Sequence, residues 1–290
     1  MPITAATRLI ALLGDPVSHS LSPIFQNAAF RAAGVDGVYV ALRCDAAALP
    51  GLMRGIARAG GGGNITVPHK LEAARVIERA TAAVQRTGAC NTFWEEEGRL
   101  CGDNTDVAGF RAALRAVLAS AAGARVMVLG AGGAASAALA GLEEERAAGV
   151  TLLARSPDRA EELRRRFETG RLQIRVARGP EEIRGERFDL VVNATPLGLR
   201  PDDPLPLEPA DLASAGAVLD LVYGARPTRW VEAARALGIP AADGMLMLVE
   251  QGAAAFERWW GVPAPVEAMR EALAAVRSSA PATGDHRAMA

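Results

Sequence analysis

The stretch from Val126 to Leu142 is apolar except for Ser136 and lies between Arg125 and Glu143. A run this long has two ordinary homes, a membrane span or a pair of buried core elements. Gly130-Ala131-Gly132-Gly133 decides between them, because a glycine turn in the middle breaks a spanning helix. The run divides into a buried-type strand, Arg125–Leu129, a glycine turn and an alanine-rich helix. Gly130, Gly132 and Ala135 fit the pattern G-x-G-x-x-A. In that pattern the first glycine makes the tight turn and the second lets a pyrophosphate approach the backbone. The third small residue lets the helix pack on the strand. Free N–H groups and a partial positive charge at the helix start then face the phosphates. A bland glycine turn is the alternative, and the strand and helix on either side favour a dinucleotide site.

The end of the next strand selects the dinucleotide. An NAD site carries Asp or Glu about 20 residues past the glycines to hold the ribose 2′-hydroxyl. Here Val150-Thr151-Leu152-Leu153 runs into Ala154-Arg155-Ser156-Pro157-Asp158-Arg159. No acid stands at the strand end, and two arginines lie close together. Guanidinium forms charge-assisted, often bidentate bonds to phosphate, so the site suits the 2′-phosphate of NADP. The same segment also reads as a capping turn, with Ser156 as N-cap and Pro157 at the first helical position.

Short apolar runs alternate with helical patterns along most of the chain. Strands are expected at Leu9–Leu13, Val38–Leu42, Asn64–Val67, Arg125–Leu129, Val150–Leu153, Gln173–Val176, Leu190–Asn193 and Ala217–Leu221. Parallel strands need crossovers, so this alternation reads as an α/β chain with largely parallel sheets. The 290 residues suggest two domains. The series restarts at Arg125 after a helix over about Val107–Ser120. This puts a first domain at 1–106 and a second at 107–243, with a helical stretch from Gly244 to Val276 that packs on either. Ser278 to Ala290 is small and polar and reads as a disordered tail.

Composition excludes several function classes. Lys+Arg is 32 and Asp+Glu is 33, a formal charge of −1, which argues against non-specific nucleic-acid or acidic-membrane binding. Aromatics at 4% leave little for base-stacking platforms. Cys44, Cys90 and Cys101 are odd in number and form no CxxC pair, a pattern suited to a reducing cytoplasm. His19, His69 and His286 are far apart, and no metal constellation is present in the sequence. Leu9–Leu13 is too short for a signal-peptide core.

Polar groups gather at element ends in the first domain. Ser22-Pro23 reads as N-cap plus first-turn proline of a helix to about Ala33. Ser20 is less explained by capping, and two hydroxyls beside a helix N-terminus make a carboxylate cradle. Asn64 and Thr66 are expected on one face of a strand, with Ile65 and Val67 on the other. Pro68-His69-Lys70 then opens a helix with Lys70 in its first turn, where a cation opposes the helix dipole. Such a violation of a local rule points to function. Gly88-Ala89-Cys90-Asn91-Thr92 and Gly102-Asp103-Asn104-Thr105-Asp106 add further polar groups. Asp103 or Asp106 reads as a cap for the next helix or as a partner for Lys70.

Together these segments resemble the shikimate dehydrogenase family, NADP-dependent enzymes of aromatic amino-acid biosynthesis. The resemblance runs in order from about Leu9 to Trp260. It rests on Ser18–Pro23, Asn64–Lys70, Gly88–Thr92, Asn104–Asp106, Gly130–Ala134, Asn193-Ala194-Thr195-Pro196-Leu197-Gly198 and Met247-Leu248-Val249-Glu250-Gln251. It implies an oxidoreductase acting on a CH–OH group, reversibly reducing 3-dehydroshikimate to shikimate on the route to chorismate. Ser20 and Ser22 would bind the substrate carboxylate. Thr66, Asn91, Asp106 and Gln251 would hold ring hydroxyls, Tyr223 would lie near the substrate, and Lys70 with Asp106 would form the catalytic pair. Gly130, Ala131, Gly132, Gly133, Ala134, Arg155, Leu221 and Gly244 would line the NADP site. The implied substrate domain is 1–106 completed by helices over 244–277, with a Rossmann-type NADP domain over 107–243 and the active site in the cleft.

The sequence departs from the family pattern at four places. Gln26 stands where histidine is usual, Ala154 where asparagine precedes Arg155, and Leu246 where a second glycine is usual. The proline in Asp220–Thr228 falls later than usual. None of these touches Lys70 or Asp106. An NAD-using quinate/shikimate dehydrogenase is the near alternative, and a non-catalytic ligand sensor on the same fold is the distant one. Whether Lys70 acts as general base or as a fixed cation beside the developing alkoxide stays open, as does monomer against homodimer.

Overall fold

The computed structural model describes residues 2–168, 172–200, 202–212, 214–224 and 226–279. The chain partitions into two compact units, one of residues up to Thr105 together with those from Val249 on, the other Asp106–Leu248. The sequence placed the divisions after 106 and 243. The second falls instead inside a C-terminal helix, whose apolar pattern runs on without a break.

The first unit opens with β1 (Arg8–Gly14), α1 (Ser22–Ala33), β2 (Gly37–Arg43), α2 (Leu49–Arg58) and β3 (Gly62–Ile65). α3 (Lys70–Val76), β4 (Arg79–Ala80), α4 (Ala82–Thr87), β5 (Thr92–Glu96) and β6 (Arg99–Asp103) follow. The sheet order is β2-β1-β3-β5-β6-β4. β1 pairs in parallel with β2 and β3, whereas β5 is antiparallel to both β3 and β6. Leu13, Met53, Ile65 and Phe93 are among the side chains that fill one side of this sheet.

One expected strand is shorter than its sequence pattern. β3 ends at Ile65, not Val67, and Val67 is 66% exposed while Ile65 is buried. Pro68 has no N–H to continue a ladder and restricts the residue before it, so the strand pattern stops short. The backbone still follows β1: Thr66 N–H donates to the Leu13 carbonyl at 2.9 Å and Asp15 N–H to the Val67 carbonyl at 3.1 Å. The β5–β6 hairpin was not foreseen. Its turn residues Glu97 and Gly98 both have positive φ, as a two-residue hairpin turn requires.

The second unit contains α5 (Asp106–Val117), β7 (Arg125–Leu129), α6 (Gly133–Glu144), β8 (Gly149–Leu153), α7 (Pro157–Phe167) and β9 (Gln173–Ala177). It continues with β10 (Leu190–Asn193), α8 (Pro209–Leu212), β11 (Val218–Asp220), α9 (Arg229–Ala236) and β12 (Ala241–Ala242). The sheet is parallel throughout, in the order β12-β11-β10-β7-β8-β9. From β7 the chain winds outward through β8 and β9, then returns to β10 and winds the other way. The reversal between β7 and β10 is the topological switch point where open α/β sheets bind ligands, beyond the carboxyl ends of the strands.

α10 (Met245–Trp260) and α11 (Val266–Ser279) close the described chain. In the first unit, α11 packs on α1, and Phe30 of α1 meets Phe256 and Trp260 of α10 at ring-centroid distances of 5.9 and 5.3 Å. Ser278 and Ser279 continue α11 rather than opening a tail, and residues 280–290 lie outside the described residues. No helix among the described residues is long and apolar enough to cross a membrane.

Candidate active site

The substrate-type residues of the first unit sit on the turns that follow its strands. After β1, the backbone N–H of Ser22 donates to Ser20 Oγ at 3.2 Å. Ser22 is the first residue of α1, and the helix has no side-chain cap from the residue before it. The capping roles expected of the two serines are therefore exchanged. Ser20 holds a helix-start N–H, because Leu21 gives the turn one more residue than a simple Ser-Pro cap.

Beyond β3, Thr66 is half-buried and Lys70 opens α3 as expected. The Lys70 carbonyl accepts from Cys90 N–H at 2.9 Å, which brings the start of α3 beside the Cys90-Asn91 segment. His69 is a core residue whose Nε2 bonds the Cys44 carbonyl at 2.8 Å.

Asn91 is 2% exposed, and its amide is already at work. Its Oδ1 accepts from Thr105 N–H at 2.8 Å and from Thr92 Oγ1 at 2.9 Å, and its Nδ2 donates to Thr105 Oγ1 at 3.0 Å. Asn64 extends this buried chain. Its Nδ2 donates to Thr92 Oγ1 at 3.0 Å, and its Oδ1 accepts from Tyr39 Oη at 2.8 Å. Sequence reading missed the bracing roles of Tyr39, Thr92 and Thr105. The available signal was polar residues within or just after strand patterns, at positions the fold buries. Asp103, weighed as a helix cap, instead accepts from Thr81 Oγ1 at 2.6 Å and from Arg258 Nε at 2.9 Å.

Gln251 lies on α10, half-buried. The carbonyl of its neighbour Gly252 accepts from Gln26 Nε2 at 2.8 Å, so the unusual Gln26 ties α1 to α10 beside Gln251. A Cβ on Gly252 would fall 2.4 Å from the Phe25 ring, so only glycine admits this approach.

In the second unit Asp106 is buried and begins α5, where a carboxylate complements the helix dipole. Burial pushes the Tyr223 phenol up, and the negative charge of Asp106 adds to the shift. Asp106 therefore stands near enough for its charge to reach Tyr223 within this unit. Lys70 belongs to the first unit and Asp106 to the second.

The glycine turn lies at the switch point. Gly130 has φ +106°, a conformation that favours glycine, and a Cβ there would meet the Ala194 carbonyl at 2.9 Å. Gly132 precedes the first residue of α6, and the direction its Cβ would take is open space, which leaves room for a pyrophosphate against the backbone. Ala135 is fully buried, as the packing position of the pattern requires. Gly130–Ala134 thus has the shape to hold a dinucleotide. Arg155 follows β8 and is exposed. Ser156 occupies the N-cap position of α7, but its side chain makes no capping bond. Leu221 and Gly244 adjoin one another: a Cβ on Gly244 would stand 2.3 Å from the Leu221 carbonyl.

Three family models match successive parts of the chain. The shikimate dehydrogenase substrate binding domain matches residues 12–93, shikimate / quinate 5-dehydrogenase matches 112–196, and the shikimate 5′-dehydrogenase C-terminal domain matches 244–274. The chain is 40% identical over 296 residues to a protein of Salinibacter ruber named shikimate dehydrogenase (NADP(+)), covering 95% of this chain and 100% of that one. The crystal structure of shikimate 5-dehydrogenase from Thermus thermophilus, in complex with NADP(H) and shikimate, superposes with a TM-score of 0.82. It has 37% identity and covers 93% of this chain and 100% of that one. Shikimate dehydrogenase from Aquifex aeolicus gives a TM-score of 0.85 at 33% identity, covering 94% and 99%. With relatives this similar over almost their whole length, the chain belongs to the shikimate dehydrogenase family.

Proposed function

We propose that this chain is an NADP-linked shikimate dehydrogenase, which reversibly reduces 3-dehydroshikimate to shikimate in the synthesis of chorismate and aromatic amino acids. The observation that carries this reading is full-length likeness to proteins named for that activity, with Lys70 and Asp106 both present in their motifs. Ser20 and Ser22 receive the carboxylate at the start of α1. Thr66, Asn91, Asp106 and Gln251 address the ring hydroxyls, and Tyr223 lies near the substrate.

NADP supplies hydride transfer at its nicotinamide when bound. Gly130, Ala131, Gly132, Gly133 and Ala134 hold its pyrophosphate against the start of α6, and Arg155 meets the 2′-phosphate. Leu221 and Gly244 line the nicotinamide side. In the oxidative direction the secondary alcohol loses a hydride from carbon and a proton from oxygen. Lys70 and Asp106 bind the reacting hydroxyl and manage that proton. The three cysteines, each buried and unpaired, suit the reducing cytoplasm in which we place the enzyme.

The test is a steady-state assay of the purified chain with shikimate or quinate and NADP⁺ or NAD⁺. The expected result is turnover, with kcat/KM highest for shikimate with NADP⁺. Preference for quinate with NAD⁺ would replace this reading with the quinate/shikimate alternative, and absence of turnover would favour a ligand sensor.

A further inference from the structure

Asp220 ends β11 and is fully buried, as is Asn193 at the paired position that ends β10. The Asp220 carboxylate accepts three bonds. Asn193 Nδ2 donates to Oδ1 at 2.8 Å, Val222 N–H donates to the same oxygen at 3.0 Å, and Thr228 Oγ1 donates to Oδ2 at 2.6 Å. Asn193 in turn shapes the next loop. Its Oδ1 accepts from Thr195 N–H at 3.0 Å and from Thr195 Oγ1 at 2.6 Å, while its Nδ2 also donates to the Leu197 carbonyl at 3.0 Å. One carboxylate thus ties together two turns at the carboxyl ends of adjacent strands. The 194–197 turn carries the Ala194 carbonyl that crowds Gly130. The 221–224 turn carries Leu221, and the Val222 carbonyl accepts from Gly244 N–H at 3.0 Å.

We propose that Asp220 is a positioning residue for the cofactor, setting both turns through Asn193 and the Val222 N–H without touching the ligand. The inference rests on the NADP reading above. A buried carboxylate is a costly way to hold two turns. Burial pushes the Asp220 acid up to about 6, with the charge of Asp243 adding and the three hydrogen bonds opposing. A neutral amide of the same shape would spare the chain a buried charge, but it accepts on one oxygen only and so would hold the donors of the two turns less firmly. Stability and cofactor binding should therefore respond in opposite senses when the charge is removed.

The experiment compares wild type with Asp220→Asn and Thr228→Val at pH 8. It measures melting temperature with and without NADP⁺, and KM for each substrate. Asp220→Asn is expected to melt no lower than wild type, yet to raise KM for NADP⁺ about 5- to 20-fold, because the two turns that would receive the cofactor are held less firmly before it binds. KM for shikimate should stay within about twofold, and the thermal shift produced by NADP⁺ should shrink. Thr228→Val keeps the carboxylate but removes one donor and also the N-cap of α9, whose Val231 N–H donates to Thr228 Oγ1 at 3.3 Å, so it should melt lower while moving KM for NADP⁺ the same way by a smaller factor. Unchanged KM for NADP⁺ in both variants overturns the proposal. So does a lower melting temperature of Asp220→Asn with both KM values rising together, the mark of a merely structural group. A wild-type chain with neither turnover nor a thermal shift on NADP⁺ would overturn the cofactor reading itself.

Discussion

Lys70 and the serines show how single residues are tied to the chemistry. Lys70 stands at the first position of a helix whose dipole disfavours a cation, a placement that stability alone does not select. Lys70→Ala is therefore expected to lower kcat by roughly 10²–10⁴, the range for a positioned proton-transfer group, with KM changing much less. A variant with wild-type kcat would remove Lys70 from the catalytic pair. Ser20 now has two duties, because its Oγ also accepts from the start of α1. Ser20→Ala should raise KM for shikimate by about 10–150-fold, the cost of a lost bond to a charged group, and leave KM for NADP⁺ nearly unchanged. It should also cost about 1 kcal/mol of stability in denaturant melts, as loss of a cap does. Arg155 is exposed, and only NADP carries the phosphate it would meet. Arg155→Ala should lower the NADP/NAD ratio of kcat/KM by roughly 10–100-fold, and Arg155→Asp should lower it further. An unchanged ratio in Arg155→Asp would return Arg155 to the solvated surface.

At the scale of elements, legibility followed the hydrophobic pattern of the strand. β7, β8 and β10 are short apolar runs and β9 alternates polar with apolar residues, and the sequence located each to within a residue or so. β5 and β6 carry Glu95, Glu96 and Arg99, because only part of that hairpin is covered, and so the alternation was lost. β12 is two alanines long and has no pattern to read. The polar strand ends were the hardest part. Asn193 and Asp220 look like ordinary turn formers in sequence, and only the register of β10 and β11 places them side by side. That pair has a pH signature. The Asp220 acid lies at about 6, above its ordinary 3.8, so the folded chain takes up this proton more readily than the unfolded one. Its contribution to stability therefore rises as pH falls through the window from about 6 to 4, by roughly 2–3 kcal/mol at 1.36 kcal/mol per unit. Subtracting the melts of Asp220→Asn from those of wild type across this window should reveal a wild-type gain toward low pH. A flat difference would mean that the carboxylate titrates as an ordinary exposed acid.

For the whole molecule, the sequence foretold two α/β bodies and the glycine turn that begins the parallel sheet of the second. It could not foretell that the first sheet mixes parallel and antiparallel strands, since β3 and β5 come together only after α3, β4 and α4 have intervened. The substrate-type residues divide in the same uneven way. Ser20, Ser22, Thr66, Lys70, Asn91 and Gln251 belong to one unit, Asp106 and Tyr223 to the other.

Cysteine is also unevenly shared. Cys44, Cys90 and Cys101 are all buried in the first unit, and the second contains none. Burial pushes the Cys90 thiol up to about 12 and raises Cys44 as well, so neither supplies much thiolate while the fold is closed. Alkylation by an excess of reagent then waits on local opening, and its rate becomes a stopwatch for the first unit alone. A ligand held mainly by that unit, and released when it opens, should slow the stopwatch in proportion to its occupancy. Shikimate at 100 times its Kd is expected to retard labelling by about 100-fold, whereas NADP⁺ alone should leave it nearly unchanged. Equal retardation by NADP⁺ would show that the two units breathe as one.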